Sequence, residues 1–141
     1  MRKLLVILCL LFASIAPSFA AEAVPIVHST SYEHDHVLTT DPSKALYWLT
    51  VTWNTQALRW LIIYDATTVP GDGALSTSLV LYCAVASLAT DPTQSSKSFD
   101  WTNHPLLHGL NGMVVVISTS ASGCTAKTAD GNNDWITAGV N

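Results

Sequence analysis

The chain has 141 residues, 49% of them hydrophobic and only 11% charged, with a formal net charge of −4. That length supports one core and is too short for two comfortable domains, and the acidic balance disfavours nucleic acid or an anionic membrane as a partner. After the first 20 residues no apolar run is long enough to cross a bilayer.

Residues 1–20 read as a secretory signal peptide. Met1-Arg2-Lys3 is a positively charged start, Leu4 to Ile15 is apolar but too short for a stable span, and Ser18 and Ala20 are the small residues a signal peptidase needs. Cleavage after Ala20 is expected, and Cys9 leaves with the signal. The mature chain of 121 residues then keeps four basic residues (Lys44, Arg59, Lys97 and Lys127) against ten acidic ones, a formal charge of −6. Its expected location is secreted or periplasmic.

Residues 21–44 read as an N-terminal arm with a short edge strand. Val24 to Thr30 is interrupted by Pro25, which confines it to a sheet edge, and Val37 to Thr40 is a second extended piece. Asp41-Pro42-Ser43 is a turn, and the sandwich domain is expected over residues 45–141. From Ala45 to Asn54, Tyr47, Leu49, Val51 and Trp53 alternate with Leu46, Trp48, Thr50 and Thr52, the period of a strand.

Asn54-Thr55-Gln56 turns the chain into a return strand, Leu58 to Asp65, which is apolar on both faces apart from Arg59. Such a strand needs a second covering layer or a partner subunit. Val69-Pro70-Gly71-Asp72-Gly73 is a loop, Leu79 to Ser87 a strand, Thr90 to Thr93 a turn, and Ser96 to Trp101 a shorter strand. Asn103 to Gly112 reads as a loop because of Pro105, Gly109 and Gly112. Gly112 to Thr128 reads as a hairpin whose first limb is the β-branched run Val114 to Ile117, and Trp135 to Val140 is the last strand after a turn at 130–134.

No window carries helical periodicity. Seven to nine short strands predict an all-β fold, a single antiparallel β-sandwich of jelly-roll or immunoglobulin-like type. Cys83 and Cys124 survive signal cleavage, and in an oxidising compartment an even pair reads as one disulfide. Two separate buried thiols are the alternative, since spacing alone does not set their distance.

The succession Tyr64 to Gly73, Cys83, Gly112 to Thr119 and Cys124 to Ala129 resembles a group of small β-sandwich proteins encoded in tailed-phage and prophage genomes. The likeness covers about two thirds of the chain, roughly Ala45 to Val140. It implies the sandwich fold and a minor virion or head-decoration role. A capsid component assembled in the cytoplasm needs no signal peptide, so residues 1–20 depart from that pattern and favour a secreted or periplasmic relative.

Candidate chemistry is sparse. Glu33-His34-Asp35-His36 is the densest group of metal-ligand types, and in an extended segment His34 and His36 point the same way. No third ligand is placed by spacing, so no metal and no cofactor are assigned. His104 and His108 stand four apart, but Pro105 and Gly109 oppose the helix that would align them. There is no Gly-x-Ser-x-Gly elbow, and the serines cluster in turns.

Among the five tryptophans, Trp53 and Trp60 read as core filling, while Trp48 and Trp101 are the candidates for an exposed binding platform. Two non-enzymatic functions follow. One is a structural or assembly protein that forms a homo-oligomer or a larger, virion-associated particle, motivated by low charge and the two-faced apolar strand. The other is a cell-envelope binding module that recognises glycan or a protein partner through tryptophan.

Overall fold

Two strands of this chain are apolar on both faces, and the architecture follows from how those faces are covered. The computed structural model describes residues 23–31, 33–54, 57–87, 95–103, 105, 107–120, 122–128 and 134–141. The expected signal peptide and the turns expected at 90–93 and 130–133 lie outside the described residues. Among the described residues eleven strands appear: β1 (Ile26–His28), β2 (Asp35–Thr39), β3 (Ala45–Trp53), β4 (Arg59–Tyr64), β5 (Gly73–Ala74), β6 (Val80–Ser87), β7 (Ser96–Asp100), β8 (Leu107–His108), β9 (Met113–Ser118), β10 (Ala126–Lys127) and β11 (Asp134–Val140).

Three of these, β5, β8 and β10, are two residues long. The other eight pair outermost with outermost: β1 with β11, β2 with β9, β3 with β7, and β4 with β6, all antiparallel. Further ladders between β11 and β3 and between β9 and β4 join the pairs into two sheets, ordered β1-β11-β3-β7 and β2-β9-β4-β6. A long hairpin folded over on itself in this way is a jelly roll, so strand order decides between the two sandwich types the sequence left open. Two-residue β8 adds to β3 within the stretch expected as a loop.

The segment expected as an arm supplies an edge strand to each sheet: β1, beside Pro25, to the first and β2 to the second. Two expected hairpins do not form. β3 and β4 lie in opposite sheets, because β4 is apolar on both sides and takes a central position between β9 and β6, whereas β3 has a polar outer face. Likewise β10 pairs with β5, while β9 is occupied on both edges by β2 and β4.

The core lies between the sheets. Leu61 and Ile63 of β4 and Met113, Val115 and Ile117 of β9 point inward against Leu49, Val51 and Ile136 of the first sheet, all of them fully buried. The alternate residues of the same strands, Ile62, Tyr64, Val114 and Val116, form a second cluster on the outer face of the second sheet. At one end of the core Arg59, also fully buried, sets its Nε 3.0 Å from Asp134 Oδ1, and its guanidinium lies 5.7 Å from the Trp53 ring centroid. An ion pair compensates the desolvation of two such charges, which neither could meet alone.

Candidate functional site

Covering the second sheet's outer face is the task of a small layer built from the chain itself. The β5–β10 ribbon crosses it, with short 3-10 turns at Thr77–Leu79 and Gly123–Thr125. Leu75 and Leu79 from this layer pack into the second apolar cluster. Gly123 takes a left-handed φ of 62°, and a Cβ there would lie 3.3 to 3.5 Å from the Trp60 ring, so the turn closes tightly on that indole.

A disulfide and an ion pair are among the fastenings that hold the layer down. A disulfide joins Cys83 on β6 to Cys124 in the second 3-10 turn, with Cα atoms 5.9 Å apart. On the opposite side Lys127 of β10, 4% exposed, sets its Nζ 2.6 Å from Asp35 Oδ2 on β2 and donates to the Pro70 carbonyl at 2.7 Å. Asp72 stands 3.7 Å from the same ammonium. Burial raises the Asp35 carboxyl above its ordinary value, against the opposing pull of Lys127 and His34. The two-faced strand β4 therefore finds its second cover within the chain, and the need for a partner subunit at this place disappears.

The outer face of the first sheet is different. Alternation and register place three rows of side chains on it. Ile26, Gly139, Trp48 and Asp100 lie side by side across β1, β11, β3 and β7; next come His28, Thr137, Thr50 and Ser98; then Trp135, Thr52 and Ser96. Ser96, Ser98 and Asp100 are exposed, and Trp48, Thr50, Thr52, Trp135 and Thr137 are half-buried. Thr50 Oγ1 and Ser98 Oγ share a hydrogen bond of 2.8 Å on the solvent side. None of these outward positions carries Lys or Arg.

Trp48 is seated by its neighbour. The cross-strand residue is Gly139, and a Cβ on it would lie 2.2 Å from Trp48 Nε1 and 2.7 Å from Cε2, so the five-membered ring fills the space a side chain would need. A glycine inside a strand marks such a close approach. The register between β3 and β11 steps here, leaving Tyr47 without a partner on β11, and Trp101 N–H donates to the Tyr47 carbonyl at 2.7 Å. On the other flank Asp100 Oδ1 accepts the Thr102 hydroxyl and the Thr102 N–H, the latter at 2.8 Å. The hydroxyl first, then the N–H, holds this carboxyl below its ordinary value.

The residues singled out from sequence are distributed as follows. Trp48 lies on this outward face of the first sheet, half-buried. Trp101 does not: it is 9% exposed, stacked on Phe99 at 5.9 Å and edge-on to Tyr82 at 5.1 Å, within the main core. Its position just after β7 turns it inward, where the aromatic cluster fills the end of the sandwich. His34 and His36 are engaged by separate carboxylates, Asp35 at 3.0 Å and Glu33 at 2.6 Å. Among the described residues no three His, Cys, Asp or Glu side chains stand together as a metal site. His104 lies outside the described residues.

Sequence reasoning missed Gly139, Asp100 and the Arg59–Asp134 pair. Only Gly139 had a local signal, a glycine interrupting a strand pattern. No protein-family model, no curated protein and no solved structure matches this chain. Among the described residues no helix is long and apolar enough to cross a membrane. The Cys83–Cys124 disulfide is consistent with an oxidising compartment outside the cytoplasm.

Proposed function

We propose that the mature chain is a secreted or periplasmic saccharide-binding module that binds its ligand without transforming it, through the outer face of the β1-β11-β3-β7 sheet. The single observation that carries this reading is the seat of Trp48: an indole held over Gly139, beside an exposed carboxylate and a Thr–Ser hydroxyl pair. A ring of this kind receives the C–H face of a pyranose. The flanking oxygen atoms meet the hydroxyls at the sugar's edge.

Affinity electrophoresis in gels containing a soluble β-glucan, a xylan, a mannan or solubilised peptidoglycan tests it. The mature protein should be retarded by at least one of these, and Trp48→Ala should migrate as in an empty gel. Absence of retardation in all of them, or retardation that Trp48→Ala leaves unchanged, would refute the proposal.

A second reading, self-association into a homo-oligomer or a phage-type assembly, has one observation in its favour. Among the described residues β1 is the outermost strand of its sheet, and its Ile26 is 63% exposed. In this reading copies join edge to edge. Light scattering of the mature protein should then give a mass that rises with concentration, and a monomer at every concentration would remove the reading.

A further inference from the structure

Resting on the saccharide-binding reading, we infer the class of saccharide: a polymer without carboxylate or sulfate groups, whose hydroxyl or ammonium donors are received by Asp100 beside the ring stacked on Trp48.

The register sets the spacing. Trp48 and Asp100 are directly opposed on neighbouring strands, so their Cβ atoms are separated by about 4.5–5.5 Å. A sugar lying on the indole therefore brings the groups at one edge of its ring over the carboxylate. Thr102 bonds to Asp100 through Oδ1 alone, which leaves Oδ2 to accept from a ligand. An ionised carboxylate has acceptor sites and no donor, so its partner on the ligand must be an O–H or N–H group.

Charge excludes the alternative. At the described outward positions the only titratable side chains are Asp100 and His28, and His28 stands across β11 and β3 from Asp100, one row away. A carboxylated or sulfated polymer laid over Trp48 would set like charges together on a face whose described outward positions carry no Lys or Arg to compensate them. The mature chain's formal charge of −6 adds a general repulsion of the same sign. A neutral polymer meets no such barrier, and an amine-bearing one gains a charge-assisted bond.

The experiment is a titration of the mature protein with oligosaccharides of three kinds: neutral β-glucan, de-N-acetylated amino-sugar oligomers, and polygalacturonate or sulfated oligomers. Binding is expected to the first two and not to the third, with the amino-sugar preference weakening as salt is raised. Asp100→Asn keeps an acceptor for Thr102. It should weaken neutral binding roughly fivefold to tenfold and abolish the amino-sugar preference, the difference between a charged and a neutral acceptor.

Asp100→Lys should admit the anionic oligomers. If these bind the unaltered protein as well as neutral ones do, the inference fails while saccharide binding stands. If Trp48→Ala abolishes binding but Asp100→Asn changes neither affinity nor preference, Asp100 is not the recognition group and the inference fails again. If no oligosaccharide binds, the saccharide reading itself has failed, and the inference falls with it.

Discussion

Gly139→Ala is the sharpest test of how the outward face of the first sheet is built, because its sign depends on one other residue. An added Cβ would lie 2.2 Å from Nε1, 2.7 Å from Cε2 and 2.8 Å from Cδ1 of Trp48, so the indole must leave its seat. The backbone itself accepts alanine. Among the described residues the positive-φ glycines are Gly73 and Gly123, and Gly139 is in ordinary strand geometry.

An uncrowded alanine at such a strand position stabilises by about 0.5–1 kcal/mol relative to glycine. Displacing a packed ring costs about 1–3 kcal/mol. The single substitution should therefore destabilise by about 0–2.5 kcal/mol. In a Trp48→Ala background the obstruction is gone, and the same Gly139→Ala change should stabilise by about 0.5–1 kcal/mol.

Urea unfolding of the four proteins, followed by far-ultraviolet circular dichroism, closes this double-mutant cycle with a coupling energy of about 1–3 kcal/mol. Polysaccharide retardation should fall for Gly139→Ala as it does for Trp48→Ala. Additive effects in the cycle, or stabilisation by Gly139→Ala with Trp48 present, would refute the seat.

Removing the Cys83–Cys124 bond by substituting both residues with serine opens a loop of sequence separation 41 and should lower stability by roughly 4 kcal/mol by loop entropy. Reductant should shift the unaltered protein's melt in the same direction, and a melt indifferent to reductant would contradict this. Arg59→Met leaves Asp134 charged and buried and should destabilise by about 3–5 kcal/mol, while Arg59→Met with Asp134→Leu should recover most of it in denaturant titrations. Asp65, 4% exposed, accepts the N–H groups of Asn111 at 2.8 Å and Gly112 at 3.4 Å, and Asp65→Asn should cost about 1–3 kcal/mol. Burial pushes the Asp65 carboxyl up, but bonds from Asn111, Leu110 and Gly112 together outweigh it and hold the group below its ordinary value. Its contribution is thus complete above the ordinary carboxylate range and disappears as pH falls through the lowered folded value. The stability gap between the two proteins should be flat from neutral pH to that range and close below it, and a gap that persists in acid would contradict the assignment.

Local pattern made much of the sandwich legible. The alternation at 45–54, the apolar runs at 58–65 and 113–118 and the strand after 134 all became strands close to their expected limits. Pro25 correctly marked an edge, since a residue without an N–H cannot serve a central ladder. The hairpin readings failed for one shared reason. Nearness in sequence favours pairing of successive segments, yet a strand apolar on both faces must be central and covered twice. That requirement sends β3 and β4 to opposite sheets and gives β10 to β5.

The candidate site was half legible. Trp48 stood on the polar side of an alternating strand, so its outward direction followed from period two. Trp101 had the same residue type and a weaker strand before it, and it turned into the core, where Phe99 and Tyr82 completed an aromatic cluster. Gly139 and Asp100 are far from Trp48 in sequence and became its neighbours only through strand register.

What the amino-acid sequence determined by itself was the all-β class, the positions of most strands, the low charge and the pair of cysteines available for a disulfide, because each rests on periodicity or composition within a short window. The jelly-roll order, the closing of the second sheet's outer face by the chain's own β5–β10 layer, and the placing of Gly139 and Asp100 beside Trp48 came from the tertiary structure. Those outcomes depend on which distant strands share a ladder, and register between strands far apart in sequence leaves no mark on either strand alone.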